Sequence, residues 1–381
     1  MSQGKTMALM EKIDCLSEDA RFDVCTPGDG TGWRKDDARW RITATLLPDG
    51  RSVPLLKVLL SNACERDCAY CANRCGRSFR RTSFRPEELA ETFHQIWRAK
   101  AVRGLFLSSA VHGSSSLTME REIATVEILR MKYEFQGYIH LKLMPGTDRA
   151  TVERAMQLAD RVSVNLEAPN AKRLARLTGK KDYYEELLTP LRWVTEIRES
   201  KGRDILPSGH TTQFVVGACG ESDREIMTTV SDLYRELGLA RVYYSAFSPI
   251  AGTPLEDHPA TLPIRQHRLY QSDFLFRQYG FTLKDLVFDE GGDLPSDIDP
   301  KTLAALYQPE RFPVEINAAP WEELLRVPGI GPGSARHIVR SRSTGSFRSL
   351  GDLKKIGASA QRAAPFILMD GKRPSFQIGL F

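Results

Sequence analysis

The sequence predicts an α/β fold, a partial TIM-like (β/α)6 barrel, joined to a small all-α domain. Two patterns predict it. From residue 53 to about 245, short apolar runs alternate with longer segments of helical periodicity, which argues for a parallel sheet with right-handed crossovers. After residue 313 the strand-like runs give way to short helical segments punctuated by glycine. A third feature marks the functional end of the barrel. Cys64, Cys68 and Cys71 follow the first apolar run, Val53 to Leu60, in a C-x3-C-x2-C spacing, so they fall in a loop leaving the C-terminal end of a strand, where such barrels carry their chemistry.

The elements follow in order. Residues 1–50 read as an N-terminal extension, with loose helical periodicity over Thr6 to Ala20, a turn-rich stretch from Pro27 to Gly32, and a strand or hairpin arm over Arg39 to Leu47. Cys15 and Cys25 lie here without a partner motif and read as free thiols. The barrel spans 51–250. Its strands are predicted at Val53–Leu60, Gly104–Ser108, Tyr138–Leu143, Arg161–Asn165, Thr212–Val216 and Arg241–Tyr244. Its helices are predicted at Pro86–Lys100, Met119–Tyr133, Asp148–Asp160, Ala171–Leu177, Tyr183–Ser200 and Ser222–Leu237. Pro86, followed by Glu87 and Glu88, is a helix-start signal.

Residues 251–312 read as a proline-rich bridging segment holding one helix, Ile264–Tyr279, with His267 and Arg268 on a solvated face, then an acidic stretch from Asp289 to Pro300. In residues 313–368, Asn317 is expected to cap a helix over Ala318–Arg326. That helix runs through Val327-Pro-Gly329-Ile-Gly331-Pro-Gly333 into a second one, Ser334–Ser341. The glycines permit a tight hairpin whose amides face a helix N-terminus, an arrangement that suits a phosphate. Residues 369–381 read as an extended tail.

Composition narrows the class. With 381 residues, 41% apolar and 27% charged, the chain has the make-up of an ordinary globular protein and room for two domains. No apolar run approaches a membrane span and the N-terminal residues lack a signal-peptide core, so a cytoplasmic protein with no membrane partner is expected. Seven cysteines, four of them between positions 64 and 75, suit metal chemistry in a reducing compartment. The net charge of +5 permits an anionic partner without requiring one. Thiolates are soft ligands that suit iron–sulfur clusters or zinc. Three of them on a four-iron cluster leave one iron open; a fourth, Cys75, would complete a structural zinc set.

The spacing C-x3-C-x-aromatic-C, with Tyr70 before the third thiol, resembles the signature of the radical SAM superfamily. The resemblance implies a [4Fe–4S] cluster on Cys64, Cys68 and Cys71, with Cys75 outside the ligand set, and S-adenosylmethionine as second cofactor, cleaved reductively to a radical that abstracts hydrogen. It places Tyr70 against the adenine through its backbone. Ser108 and Ser109 stand where the family carries a Gly- and Glu-rich motif for the methionine amino group, and the missing Glu departs from that pattern. Asn165 and Glu167 would serve the ribose or amino group. Gln213, in a stretch similar to the fifth-strand motif, would lie along the adenine.

Leu325-x-Val327-Pro-Gly329-Ile330-Gly331-x-x-x-Ala335-x-x-Ile338 is similar to the helix-hairpin-helix motif, which implies DNA binding by hairpin amides on phosphates. Gly329 and Gly331 match its glycines, and Arg336 and Arg340 would add phosphate contacts. Leu353 to Gly357 reads as a degenerate second copy. Between the cysteines and the first barrel helix, arginines interleave with phenylalanines, and Arg80 and Arg81 are expected to hold DNA. The final residues, Gln377-Ile378-Gly379-Leu380-Phe381, resemble the sliding-clamp-binding pentapeptide.

The order of features over nearly the whole chain resembles DNA modification or repair radical SAM proteins whose genes are associated with a uracil-DNA glycosylase-like partner. The expectation is therefore a radical SAM enzyme that modifies or repairs DNA, served by an electron donor. The alternatives are a radical enzyme acting on RNA or a small metabolite, and a non-catalytic zinc-stabilised DNA-binding adaptor.

Overall fold

Leu55, Leu56, Val58 and Leu59 are shielded from solvent because their strand has a neighbour on each side. In the computed structural model, which describes residues 2–23, 42–46 and 52–375, β1 (Ile42–Leu46) pairs antiparallel with β2 (Ser52–Leu59). From β2 the sheet runs in parallel through β3 (Gly104–Ser108), β4 (Tyr138–Lys142), β5 (Arg161–Ser163), β6 (His210–Val216) and β7 (Arg241–Ala246), in chain order. The order never closes, so the curled sheet is a partial barrel with β1 and β7 as its edges.

Crossover helices join the strands. They are α2 (Pro86–Arg98), α3 (Ser115–Glu127), α4 (Arg149–Leu158), the short α5 (Ala171–Leu174) with α6 (Thr189–Lys201), and α7 (Asp223–Leu237). Before β1 the chain forms α1 (Ser2–Asp19) and a 3-10 turn, Ala20–Phe22. The helix starts obey local chemistry. Ser114, Asp148 and Asn170 each accept a first-turn amide as N-caps, and Pro86 stands at the first position of α2.

The structure departs from the sequence reading in places. β5 ends at Ser163 rather than Asn165; beyond it the chain keeps irregular bonds to β6, from Val164 N to Thr211 O and from Glu167 N to Gln213 O, with Glu167 at a φ of +63°. The two long helices expected around Met119 and Tyr183 each contain a π-helical turn, at Ile128–Lys132 and Tyr183–Leu188.

The chain divides into two compact units, Met1–Glu221 with Asp232–Gln266, and Ser222–Ser231 with His267–Phe381. The second unit contains most of α8 (Pro263–Tyr279), then α9 (Pro300–Tyr307), which the sequence reading missed although Asp299 caps it and Pro300 opens it. Arg268 is not on a solvated face; it donates to Pro295 O and Ser296 O, while His267 is exposed. Four short helices follow: α10 (Trp321–Leu324), α11 (Pro332–Ser341), α12 (Leu350–Lys355) and α13 (Ala360–Ala363). A two-stranded parallel pair, β8 (Val314–Glu315) with β9 (Ile367–Leu368), ties the beginning of this region to its end. Asn317 does not cap α10, whose N-cap is Pro320; its side chain instead holds Phe347 N and O and the Asp370 carboxylate.

Leu324, Leu325, Val327, Ile330, Ala335, Ile338, Leu353 and Ala363 share one core, so the degenerate second copy packs against the first. Gly329 is required at the junction. Its φ is +84°, and a Cβ there would sit 2.4 Å from Ser359 O. Gly329→Ala is expected to destabilise this unit by about 2 kcal/mol or more, visible as a lower midpoint in urea unfolding followed by Trp321 fluorescence.

Candidate functional site

Glu65, Arg66 and Asp67, the residues between the first two thiols, are committed to the framework, and this fixes the cysteine loop. Glu65 N donates to Val111 O at 3.0 Å and Glu65 Oε1 accepts from Gly113 N at 3.0 Å. Arg66 pairs with Glu186 at 2.7 Å. Asp67 accepts from Gly179 N at 3.2 Å and from the Thr178 hydroxyl, while Ala69 N donates to Leu177 O at 2.7 Å. The loop is thus sewn to the end of β3 on one side and to residues 177–186 on another.

Arg81 closes a third side. Its guanidinium donates to Asn62 O, Asn73 O, Arg74 O and Arg77 O at 2.8–3.3 Å and stacks 4.4 Å from the Phe79 ring centroid. Arg81 was expected to face DNA; it is instead an internal brace of the cysteine loop. Arg80 remains exposed, paired at 3.0 Å with Glu11 of α1. Asn62, fully buried two residues before Cys64, binds Asp19 at 2.7 Å and the backbone of Arg80 and Thr82. α1 is thereby docked beside the loop.

The braced loop opens onto a cavity of about 180 Å³ at the C-terminal ends of the strands. Cys64, Cys68, Cys71 and Tyr70 line it from the loop, Ser108 and Ser109 from the end of β3. Asn165 and Glu167 line it after β5, and Gln213 from β6. These residues, singled out from sequence for the cluster or its partner cofactor, border one space, while Gly217 of the same fifth-strand stretch does not line it. Cys75 does not line it; its amide is bonded to Arg66 O at 2.8 Å.

Three side chains that sequence reasoning missed complete the cavity. Lys181 Nζ lies 3.4 Å from Glu167 Oε1, with both side chains at most 8% exposed. Burial alone would lower the Lys181 ammonium, but Cys68 and the other thiols when ionised, together with the Glu167 carboxylate, reverse this and hold it above its ordinary value. Glu167 is fixed by backbone pairing with Gln213 O and Val215 N, and the Tyr70 hydroxyl bonds to its carboxylate. Its left-handed φ is sparsely populated by residues other than glycine, which marks a position held by its surroundings.

The other two are Asp23 and Lys142, which form an ion pair on the cavity wall. Lys57 Nζ also donates to Asp23 O, and Gln213 Nε2 donates to Phe22 O at 3.0 Å. The N-terminal segment is therefore part of the site. Burial alone would raise the Asp23 carboxyl, but Lys142 and Lys57 outweigh it and hold it below the usual carboxylate range; Asp23 in turn holds Lys142 above its ordinary value despite burial. Lys181 sits in no motif, and Asp23, though part of the Phe22-Asp23 feature of the N-terminal extension, carries no site role in the sequence; each becomes a site residue only when the fold gathers it to the thiols.

The donor set suits an iron–sulfur cluster. Burial pushes the Cys71 thiol up to about 12 and also raises Cys68, so these thiols ionise only when cations join them. Among the described residues, no three His, Cys, Asp or Glu side chains converge on a single-ion site; three thiolates on three separate irons do not need to. Asn73 Oδ1, buried at the cavity, accepts no hydrogen bond from the protein and offers a ligand an acceptor.

In the C-terminal unit the hairpin ends on Gly331, the N-cap of α11, and Pro332 occupies the first helical position. Arg336 and Arg340 are exposed on α11. Gln377, Ile378, Leu380 and Phe381 of the clamp-like pentapeptide, and Cys25, lie outside the described residues. No helix among the described residues is long and apolar enough to cross a membrane.

A half-barrel with a braced three-thiol loop at its strand ends defines a class, and comparison gives it a name. Residues 58–233 match the Radical SAM superfamily and residues 311–359 match the helix-hairpin-helix motif. The chain therefore carries a radical SAM superfamily domain, whose cofactors are a [4Fe–4S] cluster and S-adenosylmethionine, followed by a helix-hairpin-helix motif. Among solved structures it is similar to HydG, a maturase of the [FeFe]-hydrogenase, from Carboxydothermus hydrogenoformans, with 13% identity and a TM-score of 0.43 over 57% of this chain and 49% of that one. It is also similar to methylornithine synthase (PylB), at 17% identity and a TM-score of 0.44 over 56% and 59% of the two chains. A third is the cobalamin-dependent S-adenosylmethionine radical enzyme OxsB, at 12% identity and a TM-score of 0.33 over 81% and 52%. The matched part spans about half the length of these proteins.

Two substitutions test the charge balance of the cavity. Lys181→Met leaves Glu167 buried without its cation and is expected to cost about 3 kcal/mol, read by thermal melting of the cofactor-free protein. Asp23→Asn is expected to cost a similar amount at pH 7. The Asp23 contribution is full above the ordinary carboxylate range and is lost as pH falls through its lowered folded value. The difference between wild type and Asp23→Asn should therefore shrink below about pH 4, while a constant difference down to acid unfolding would count against the ion pair.

Proposed function

We propose that the protein is a radical SAM enzyme that modifies or repairs a nucleotide in DNA by hydrogen abstraction. One observation carries the reading: three thiols and the buried Glu167–Lys181 pair border one cavity, in a chain whose residues 311–359 match a helix-hairpin-helix motif. Cys64, Cys68 and Cys71 would hold the [4Fe–4S] cluster. The cavity charges Glu167 and Lys181 are complementary to the ammonium and carboxylate of an amino acid. Ser108 and Ser109 supply hydroxyls where a carboxylate is missing, and Asn165 and Gln213 supply amides for a ribose or adenine beside the Tyr70 backbone. When bound, the cluster and S-adenosylmethionine supply a reductively generated radical that abstracts hydrogen.

The chain's own residues do the rest. Leu59, Val111, Leu143, Val164, Val215 and Phe247 give the cavity an apolar wall that keeps water from a reactive centre. Lys181 counters the charge of the thiolates. Gly329 and Gly331 shape the hairpin for phosphate, and Arg336, Arg340 and the exposed Arg80 add contacts that weaken with salt. A base in duplex DNA must be extruded to reach a cavity of this kind, at a cost of a few kcal/mol that is lowest for damaged or mispaired bases; this favours a lesion or mispair as substrate. A clamp-binding tail at Gln377, Ile378, Leu380 and Phe381, an electron donor and a uracil-DNA glycosylase-like partner fit the same cytoplasmic role.

The test is anaerobic reconstitution with iron, sulfide, S-adenosylmethionine and a reductant, measuring 5′-deoxyadenosine with and without duplex DNA. DNA-stimulated release is expected, and it should vanish in Cys68→Ser. Release indifferent to DNA would move the substrate to RNA or a small metabolite. Colourless, zinc-loaded protein without release would overturn the enzymatic reading.

A further inference from the structure

Lys301 lies 29 residues before the hairpin carbonyl it binds, outside every motif in the chain. It is the second residue of α9, and only 8% of it is exposed. Its Nζ donates to Ile330 O, in the middle of the Gly329-Ile330-Gly331 turn, at 2.6 Å. It also sits 4.5 Å from the centre of the Tyr279 ring on α8. Its described partners are thus a carbonyl and an aromatic face rather than a carboxylate.

The surroundings are charged, but the acids are already engaged. Asp299, the N-cap of α9, accepts Thr302 N at 3.1 Å, the Thr302 hydroxyl at 2.6 Å and the Arg362 guanidinium of α13 at 2.5 Å. Arg326, which follows α10, pairs with Asp285 at 2.5 Å. Burying an ammonium within electrostatic reach of two guanidiniums costs free energy that an anion would offset. Burial, then Arg362 and Arg326, outweigh the help of Asp299 and bring Lys301 down to about 7. A cation is therefore kept, at a cost, directly beneath a turn that presents a helix N-terminus to solvent.

We propose that Lys301 is a positioning residue of the nucleic-acid phosphate site: its ammonium holds the Ile330 carbonyl, sets the hairpin, and supplies positive charge beneath it that a bound phosphate compensates. This rests on the DNA-binding reading of the hairpin. It adds to that reading a residue from another helix and a proton. A phosphate at the turn favours the ammonium over the amine, so binding takes up a proton and weakens as pH rises through neutrality. Burial alone would raise the Asp299 and Asp285 carboxyls, but hydrogen bonds and the neighbouring Arg362 and Arg326 hold both below their ordinary range, and burial raises the Tyr279 phenol, so none of these three titrates across neutrality. His337 is an exposed histidine of α11, within the motif, and the comparison includes a variant without it.

The experiment measures the affinity of the full-length chain for a fluorescent 20-base-pair duplex by anisotropy, at fixed salt, between pH 6 and 8.5. Four proteins are compared: wild type, His337→Gln, Lys301→Met and the double variant. Methionine fills similar space without charge, so Lys301→Met is expected to melt at or above the wild-type temperature. Wild type and His337→Gln should lose about tenfold in affinity across the range. Lys301→Met should bind about tenfold more weakly at pH 6, with a flat profile. A flat profile in His337→Gln overturns the inference whether or not Lys301→Met folds, and so does an unchanged affinity and profile in Lys301→Met. Absence of DNA binding by wild type at low salt removes the DNA reading and this inference with it; binding without the Lys301 effect removes the inference alone.

Discussion

Any thiolate formed at Cys64, Cys68 or Cys71 in this cavity needs positive charge nearby, and this requirement bears on the whole barrel mouth. Lys181 meets it from the crossover between β5 and β6, with Glu167 as its counter-ion so that the ammonium is also tolerated while the thiols are neutral. That pairing explains why the chain accepts an unfavourable φ at Glu167: the bend turns a carboxylate inward at the one place where strand end, thiol loop and ammonium meet. The neighbouring Asp23–Lys142 pair repeats the arrangement with a carboxylate from the N-terminal segment. Charges are present in both signs, and none of the four stands alone.

The parallel sheet was legible because its strands are buried on both faces and so read as continuous apolar runs; Gly104–Ser108 could be bounded from sequence alone. The thiol loop was legible because its spacing is local. Lys181 and Asp23 were not, since their partners lie 14 and 119 residues away and nothing local gives them a site role. Arg81 shows the opposite failure. Arginines interleaved with phenylalanines carry one composition for two uses, stacking on a base or stacking on their own loop, and only the four carbonyls around its guanidinium tell them apart. α9 was missed because an acidic, proline-rich stretch reads as linker, although Asp299-Pro300 is a helix start.

The C-terminal unit makes one small core from two unequal halves. The first hairpin keeps its glycines because backbone from α13 approaches Gly329 too closely for a side chain. The second half, α12 and α13, supplies apolar residues such as Leu353, Ala360 and Ala363 that share the core of the first. α9 adds a layer from outside, so the turn that the motif defines is supported by residues that no motif describes.

The docking of the N-terminal segment sets an order of events during synthesis. Phe22 O is held by Gln213, 191 residues later in the chain. At a translation rate of about 5–20 residues per second, roughly 10–40 s pass between making one and making the other. For most of that interval Phe22 and Asp23 lack the wall they belong to, while Cys64, Cys68 and Cys71 have already been added to the chain. The side of the cavity that Phe22 and Asp23 cover can therefore close only after the whole cysteine loop is already in the chain.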